Sequence, residues 1–487
     1  MDTSYDVSMT IVHGNNDHNN DDDDDDDDDV QCTSNKSFNQ SIANEQQRQR
    51  QIMNSWKILF HISARKILIG ILIFLGILIS LLLLGFILYY SIINRTEWPD
   101  QLRQPKIGYY HHNNNELLSI LDAYSRYYPQ LTRLYTIGYS NRKNPIKVLE
   151  ISDQPGVHEP GEAEIKLIAN IHGNEVVGRE LLLHLIDHLL STYHSNSSTR
   201  SLVDNLRIHI VPTINPDGYE DAMEGECMGL IGRSNANKID LNRNFPDQFI
   251  HNDVNEEPEI ETTIVMQWIK QYPFVLSVSL HGGALVVNYP FDNNKEMTKN
   301  ETKCPDNDVF RHLSLIYSKN HPYMYANNGR CLDSCDGTDD YFLQGITNGA
   351  KWYPVAGGMQ DWNYLNTNCF ELTIEVGCKK YPFSNELETY WQQHQNSLLN
   401  LINSTYNGVH GFVHDNHGRP IELAIISVEG IDKNVTTYKT GDYWRLLTPG
   451  RPYRITASKY GYNSQTLVIF IHYSNQLNFT LYKLSSF

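Results

Sequence analysis

The chain has 487 residues, too many for one ordinary domain and enough for two or three. Its 40% hydrophobic and 20% charged residues are ordinary values for a globular protein. The formal net charge is -18, and nine consecutive aspartates, Asp21–Asp29, carry half of it. Because the remainder is acidic as well, the charge argues against a nucleic-acid partner and is compatible with a cationic substrate.

The first 50 residues are rich in Asp, Asn, Gln and Ser and poor in apolar side chains. We predict a disordered, acidic cytoplasmic tail over residues 1–66. Its aspartate run is a candidate for binding cations or a basic partner, although such a run is more often simply solvated.

Residues 67–93 form a run of 27 residues without a charged side chain. At about 1.5 Å per helical residue the run reaches about 40 Å, more than the bilayer's hydrocarbon core of about 30 Å. It is too long and begins too late for a cleaved signal peptide, so we predict an uncleaved transmembrane signal anchor. A linker, residues 94–106, is expected to follow it.

The orientation of this span is indicated by the residues on its C-terminal side. Within about 15 residues the basic side chains are equally numerous on both sides, so the positive-inside rule decides little. Six cysteines follow the span and suit up to three disulfides, and five well-spaced Asn-x-Ser/Thr sequons lie further out. A sixth sequon, at Asn94, is too near the membrane to be glycosylated. We expect a single-pass type II membrane protein with residues 94–487 outside the cell or in the secretory-pathway lumen. The cysteines are Cys227, Cys304, Cys331, Cys335, Cys369 and Cys378, and the sequons begin at Asn196, Asn300, Asn403, Asn434 and Asn478.

From 107 to 405 strand-like and helix-like patterns alternate, which predicts an α/β domain with a largely parallel or mixed sheet. Active sites in such sheets form at the carboxyl ends of strands, and His172, Asn215, His281 and Glu375 fall at or near such ends. The predicted strands cover 206–214, 274–280 and 369–376, and the predicted helices cover 178–193 and 259–272.

Residues 406–487 have a different pattern of apolar and turn residues. Short β-type runs such as "PIELAIISVEGI" and "QTLVIFIHY" are separated by Gly, Pro and Asn. This pattern predicts a small all-β sandwich of about 80 residues.

The stretch "IHGNEVVGRE" places His172 and Glu175 three residues apart in a tight, glycine-flanked loop. Imidazole nitrogen and carboxylate oxygen are zinc ligands, and a catalytic zinc takes three protein ligands and keeps one open position. His281, which ends an apolar strand and precedes two glycines, is the candidate third ligand. A surface ion pair and a histidine at a strand end are the alternatives for these residues.

Four further side chains could act beside such a metal ion. Arg233 and Arg243 offer forked donors for a carboxylate or a developing oxyanion. Tyr353 lies in a glycine-containing segment that could move. Glu375, on the same strand face as Glu371 and Thr373, could serve as a general base. Solvated arginines, a half-buried tyrosine and an outward strand face are the alternatives.

Together these segments resemble the zinc metallocarboxypeptidases of the N/E, or regulatory, subfamily, which includes carboxypeptidases D, E, M and N. The resemblance covers about 107–487 and rests on long motifs in the same order. They are "IHGNEVVGRE", "NANKIDLNRNFPD", "LHGGALVVNYPFD", "GITNGAKWYPVAGGMQDWNYLNTNCFELTIE" and "GDYWRLLTPG". The resemblance implies a catalytic domain over 107–405 and a transthyretin-like domain over 406–487.

The resemblance also implies roles at the reacting centre. His172, Glu175 and His281 would bind one zinc ion. Arg233 would polarise the scissile carbonyl and stabilise its oxyanion. Glu375 would activate the attacking water and pass its proton to the leaving amine.

Five further positions would bind the substrate. Asn242 and Arg243 would hold its terminal carboxylate, and Tyr353 would close over the terminal residue. Asp292, with Gln360 in the same pocket, would receive a terminal Arg or Lys side chain. The implied activity is therefore the release of basic residues from peptides or proteins in the secretory pathway or at the cell surface.

The chain departs from that subfamily in its membrane anchoring, because relatives usually begin with a cleaved signal peptide.

Two other functions are alternatives to this enzyme. A non-catalytic cell-surface binding module would lack metal ligands or Glu375. A carboxypeptidase for acidic residues would need a basic pocket where Asp292 stands.

Overall fold

The computed structural model describes Arg48, Met53 and residues 66–86, 104–250, 257–331 and 340–484. The rest of the predicted tail, the end of the predicted span, Asn94 and most of the predicted linker lie outside the described residues. Two compact units are distinguished, Met1–Gln101 and Leu102–Phe487.

The first unit contains helix α1, Lys66–Phe86. Its 21 residues have a mean hydropathy of 3.3, and their side chains are exposed. At about 1.5 Å per residue the helix is about 30 Å long, the thickness of a bilayer's hydrocarbon core. By length and composition, α1 is a candidate membrane span.

The second unit begins with an eight-stranded mixed sheet, as the sequence predicted. The strand order is β1-β2-β4-β3-β5-β8-β6-β7. Strands β4, β3, β5 and β8 are mutually parallel, whereas β2 pairs with β4 and β6 pairs with β8 in antiparallel fashion. The strands are β1 Thr132–Tyr139, β2 Pro145–Ile151, β3 Ala163–Ala169, β4 Leu206–Val211, β5 Phe274–His281, β6 Ala284–Tyr289, β7 Ile346–Asn348 and β8 Phe370–Gly377.

Helices cover both faces of this sheet. Along β2, Leu149 and Ile151 join one apolar cluster while Ile146 and Val148 join another, as the alternation of side chains along a strand requires. The central strands β3, β5 and β8 are buried at every position. The helices are α2 Asn114–Tyr127, α3 Val177–Thr192, α4 Ser197–Asn205, α5 Pro216–Asp221, α6 Ile260–Gln271, α7 Asn307–Asn320, α8 Gly349–Trp352, α9 Met359–Asn366 and α10 Leu387–Asn403.

The chain then forms the predicted β-sandwich. One sheet has the order β11-β10-β13-β14, and the other has the order β12-β9-β15 with β16 also paired to β9. An apolar core that includes Val413, Ile426 and Ile455 lies between them. The strands are β9 Gly408–Asp415, β10 Ile425–Val428, β11 Ile431–Thr436, β12 Asp442–Leu446, β13 Pro452–Ser458, β14 Gln465–Phe470, β15 Ser474–Gln476 and β16 Phe479–Leu481.

Buried charges join the sandwich to the α/β domain. Arg445 of β12 and Asp306 form an ion pair at 2.6 Å, and both side chains are fully buried. His158, in the loop between β2 and β3, lies 2.7 Å from Glu164 and 3.0 Å from Asp442. Breaking such a pair leaves an uncompensated buried charge, so these contacts fix how the two domains pack.

The ion pairs of His158 predict a pH-dependent stability. Burial opposes protonation of this imidazole, but the hydrogen bonds that it donates to Asp442 and Glu164 outweigh burial and raise the pKa of His158 to about 9. Because the pKa is higher in the folded state, protonation of His158 stabilises the fold. This stabilisation is complete at pH values below the unfolded pKa of 6.5, and it is lost as the pH rises through 9. At pH 6, His158→Gln should lower the free energy of unfolding by about 2 kcal/mol, after allowance for solvent screening.

Chemical denaturation of the parent and the variant at pH 6 and pH 9.5 measures this difference. The exposed His472 provides the matched control, because His472→Gln removes a histidine that has no such partners among the described residues. A difference between parent and His158→Gln that stays the same at both pH values would contradict the ion-pair account.

The cysteines do not all pair, so the upper limit of three disulfides is not reached. Cys331 and Cys378 are bonded to each other, and Cys227 is also disulfide-bonded. Cys304 and Cys369 are free and buried. Both belong to the interior of the α/β domain, where Lys166 Nζ donates to Cys369 Sγ at 3.2 Å. Burial raises the pKa of the Cys369 thiol to about 11, which keeps it unreactive.

All five predicted sequon asparagines in the described residues have exposed side chains. Surface exposure is a requirement for glycosylation, which stays a prediction at these positions.

Candidate active site and metal centre

The loop after β3 is shaped by one buried amide. Asn170 adopts a left-handed conformation, with φ of 60°, and ends the strand. Its Nδ2 donates to the carbonyls of His172 and Gly173 at 3.0 and 2.8 Å. A Cβ at Gly173 would lie 2.2 Å from the backbone of Gly218, so only glycine fits between the two candidate ligands. The loop therefore turns His172 and Glu175 to the same side.

His172, Glu175 and His281 form a buried cluster. Their ligand atoms all lie within 4.8 Å of one another. Glu175 Oε2 lies 2.9 Å from Nδ1 of His172 and 2.9 Å from Nδ1 of His281. His281 ends β5, so the parallel neighbours β3 and β5 bring the three side chains to one edge of the sheet.

This cluster fits a zinc ion by its donor chemistry. Two imidazole nitrogens and one carboxylate oxygen are the ligand types of catalytic zinc, and three protein ligands leave a position open to substrate. Burial opposes ionisation of Glu175, but His172 and His281 outweigh it and hold the pKa of that carboxyl well below its usual value. The carboxylate is thus already in the form that binds a metal.

Two charged side chains contact the cluster, and the sequence analysis identified neither of them. Asp240 Oδ1 lies 3.0 Å from Nε2 of His172, which leaves Nδ1 of that ring facing Glu175. A carboxylate behind a ligand histidine fixes its tautomer and orientation. Lys380 Nζ lies 3.6 Å from Glu175 Oε1. No local sequence pattern indicates either contact; only proximity in the fold shows it.

Arg233 lies against the metal-binding cluster. Its Nη1 donates to Glu175 Oε1 at 3.1 Å, and its Nε donates to Asp240 Oδ2 at 3.0 Å. Burial opposes its charge, but Glu175 and Asp240 outweigh it and raise the pKa of Arg233. Its guanidinium is therefore positively charged beside the candidate metal centre, as a group that stabilises an oxyanion must be.

Glu375 faces the same cavity from β8. The parallel pairing of β5 and β8 places it directly beside His281. Its side chain is buried, and Oε2 has no hydrogen-bond partner among the described residues. Burial raises the pKa of Glu375 to about 7, and Glu175 adds to the shift. A carboxylate with a pKa near neutrality can both accept and release a proton.

Nine of the ten predicted site residues line one cavity of about 230 Å³, and Gln360 stands behind it. The sequence separations range up to 203 residues, so the fold alone unites them. The nine are His172, Glu175, Arg233, Asn242, Arg243, His281, Asp292, Tyr353 and Glu375.

One wall of this cavity carries the candidate carboxylate-binding groups. Asn242 and Arg243 belong to a short 3-10 helix, and Asn242 Oδ1 accepts from the backbone N–H of Met359 at 2.9 Å. This contact leaves the amide nitrogen of Asn242 as a donor. Tyr353 follows α8 and lines the cavity, where its ring contacts the ring of Trp352 edge-on at a centroid distance of 4.6 Å.

Asp292 forms the acidic end of the cavity. Its Oδ1 accepts from Asn288 Nδ2 at 3.0 Å and from Gln360 Nε2 at 2.9 Å, and its backbone N–H donates to Asp361. Burial raises the pKa of Asp292 to about 6. A Cβ at Gly349 would lie 2.0 Å from Asp292 Oδ1, so glycine is required there. Among the described residues no ion pair reaches Asp292, and Arg243 lowers its pKa from beyond ion-pair distance.

The remaining polar strand-end residues have other contacts. Asn215 caps α5 and donates to the carbonyls of Ile171 and Arg233, so it holds two site segments together. Glu371, predicted on the same face as Glu375, accepts from Ser277 and Asn363 instead of lining the cavity.

Comparison with known families finds two matches along the chain. The zinc carboxypeptidase family matches residues 117–397. The carboxypeptidase regulatory-like domain matches residues 408–482.

The chain is also similar in sequence to several carboxypeptidases. Carboxypeptidase D of Mus musculus is 51% identical over 386 residues, which are 79% of this chain and 28% of that protein. The carboxypeptidase N catalytic chain of Mus musculus is 42% identical over 74% of this chain and 83% of its own length. Carboxypeptidase M of Mus musculus is 42% identical over 73% of this chain and 79% of its own length. The chain thus spans little more than a quarter of carboxypeptidase D but most of the other two. By its matched domains and its relatives, the chain belongs to the zinc carboxypeptidase family.

Proposed function

We propose that this protein is a membrane-anchored zinc metallocarboxypeptidase that hydrolyses the C-terminal peptide bond and releases Arg or Lys from peptides and proteins. The observation that carries the proposal is Asp292, a buried carboxylate that no ion pair reaches among the described residues, in the cavity that the metal-binding cluster also lines. The similarity to carboxypeptidases D, N and M supports the reaction class.

Substrate recognition begins with its terminal carboxylate. Arg243 offers a fork of N–H donors, and Asn242 offers the amide nitrogen that its contact with Met359 leaves over. An internal peptide segment has no main-chain carboxylate for these donors, so the pair selects chain ends. Tyr353 closes over the terminal residue and excludes water from the reacting bond.

The basic side chain of that residue enters toward Asp292. Burial makes a carboxylate without an ion pair costly there, because its side-chain hydrogen bonds come from the neutral donors of Asn288 and Gln360. A guanidinium or ammonium group supplies the missing counter-charge. A neutral or acidic terminal residue cannot do so, and specificity for basic residues follows.

The bond is cleaved by groups at the other end of the cavity. When bound, a zinc ion supplies Lewis-acid polarisation of the scissile carbonyl and of the attacking water. Glu375 accepts the proton of that water and delivers it to the nitrogen of the leaving amino acid. Arg233 donates to the carbonyl oxygen as negative charge develops on it. The carbon–nitrogen bond breaks, and the products are a shortened peptide and free Arg or Lys.

The location follows from α1 and from the sequence features beyond it. We infer that α1 anchors the chain as a type II membrane protein, with the α/β domain and the sandwich outside the cell or in the secretory-pathway lumen. The disulfide between Cys331 and Cys378 and the exposed sequons support an oxidising, glycosylating compartment. Processing of peptides there is the proposed role.

Measurements of metal content and of peptide hydrolysis test the proposal. We expect the full chain, purified in detergent, to contain one zinc ion and to release Arg and Lys from short peptides. Treatment with 1,10-phenanthroline should abolish this release, and added Zn²⁺ should restore it, because no other described group replaces the Lewis acid. His172→Ala should lose both zinc and activity.

A matched variant separates loss of metal from general damage. His188→Ala removes a partly buried histidine on α3 outside the metal-binding cluster and should keep both properties. Release of Arg that survives complete removal of zinc would contradict the metalloenzyme. A folded, zinc-loaded chain that cleaves none of the peptides would favour the binding-module alternative.

A further inference from the structure

A second cluster of acidic side chains lies at the opposite end of β3 from the active site. It belongs to the loop of residues 152–162, which joins β2 to β3. Asp153, Glu159 and Glu162 each bring a carboxylate oxygen to within 4.8 Å of the other two. Like charges held this close repel one another unless a cation or protons neutralise them.

Glu162 distinguishes this cluster from an ordinary acidic surface. Its side chain is only 7% exposed, and its Oε2 has no hydrogen-bond partner among the described residues. Its other oxygen accepts only a long contact of 3.4 Å from Ser152 Oγ. A buried carboxylate oxygen without a hydrogen-bond partner is energetically costly, so a bound cation would stabilise this loop.

The nearby basic groups do not take the place of such a cation. Arg207 donates to Glu150 and Glu164, at 2.8 to 3.1 Å. His158 is held between Glu164 and Asp442. Within the described ranges, no ion pair reaches Asp153, Glu159 or Glu162. Burial raises the pKa of Glu162 to about 8, and Glu159 and Asp153 add to the shift.

We propose that Asp153, Glu159 and Glu162 form a calcium-binding site. All three donors are hard carboxylate oxygens, which suit Ca²⁺ rather than zinc. With Ca²⁺–O bonds of about 2.4 Å, two ligand atoms of one ion stand at most about 4.8 Å apart, and the three carboxylate oxygens stay within that limit. Two ligands are partly or fully exposed, so water completes the coordination from the solvent side.

The position of the site gives calcium a structural role. The same loop carries His158 and Gly161, and both contact Asp442 of the sandwich, at 3.0 and 3.1 Å. An ion held by Asp153 near the start of the loop and by Glu162 at its end ties these contacts together. Calcium binding therefore stabilises the junction between the two domains, far from the metal-binding cluster.

Calcium binding and thermal stability test this proposal on the full, zinc-loaded chain in detergent. By equilibrium dialysis with ⁴⁵Ca²⁺, the parent should bind one more ion than Glu162→Gln, so that ions held by the aspartate run cancel in the difference. Addition of 10 mM CaCl₂ should raise the Tm of the parent by about 2–4 °C and leave that of Glu162→Gln unchanged.

Three further variants make the result independent of folding defects. Asp153→Asn changes an exposed ligand and should lose the same calcium-dependent shift. Glu422→Gln changes an exposed carboxylate of the sandwich and should keep it. Deletion of Asp21–Asp29 should also keep it. Equal calcium content in the parent and both ligand variants, or an equal Tm shift in all of them, would overturn the proposal. An equal shift with 10 mM MgCl₂ would overturn calcium as the ligand.

Discussion

Replacing Glu375 with glutamine is expected to lower kcat for release of a terminal Arg by about 10³-fold while zinc content stays unchanged. Glutamine preserves the shape of the side chain beside His281, but it cannot take a proton from water. No second carboxylate on that strand replaces it, because Glu371 is occupied with Ser277 and Asn363. The measurement is steady-state hydrolysis of a short Arg-ending peptide with zinc quantified in the same sample.

The control for this prediction is Glu388→Gln, the same change at an exposed position in the first turn of α10. It should retain the parent's kcat. If Glu375→Gln kept more than about a tenth of the parent's kcat, general-base catalysis by this residue would be refuted, since proton transfer by a positioned side chain contributes at least about 10²-fold.

Asp292→Asn is expected to change substrate preference rather than chemistry. For an Arg-ending peptide kcat/KM should fall by about 10³-fold, because a buried guanidinium without its counter-charge costs about 3–5 kcal/mol. For a Leu-ending peptide kcat/KM should stay near the parent's low value or rise, since the costly unpaired carboxylate is gone. The ratio of the two values is the quantity to measure.

This ratio also separates the pocket from the catalytic centre. Glu375→Gln should lower both values together and leave the ratio unchanged, whereas Asp292→Asn should lower the ratio. Glu388→Gln again serves as the unchanged control. A parent-like ratio in Asp292→Asn, with zinc bound and the fold intact, would show that basic residues are recognised elsewhere.

Much of this protein could be read from local sequence patterns. Alternation of strand and helix patterns predicted the mixed sheet, and short β runs separated by turn residues predicted the sandwich. Such signals are local because backbone preference and burial leave a period in the sequence. Zinc-ligand chemistry and the strand-end positions of His172, His281 and Glu375 then indicated one edge of the sheet.

The resemblance to a family assigned roles to all ten site residues, and nine of them line one cavity in the structure. The position of Gln360 is the difference: it stands behind Asp292 and orients it, with its own Oε1 held by the backbone N–H of Thr373 at 2.8 Å. A motif identifies which residue type stands at a position. It does not say whether that side chain touches the substrate or supports one that does.

The amino-acid sequence by itself therefore determined the fold class, the candidate membrane span, and the candidate residues for binding metal, substrate and protons. The tertiary structure alone decided which distant groups meet. Asp240 behind His172, Lys380 beside Glu175 and the buried pair of Arg445 with Asp306 join residues 68 to 205 positions apart. It also decided which cysteines stay free. Such contacts leave no period or spacing in the chain, because they depend on how completed elements pack.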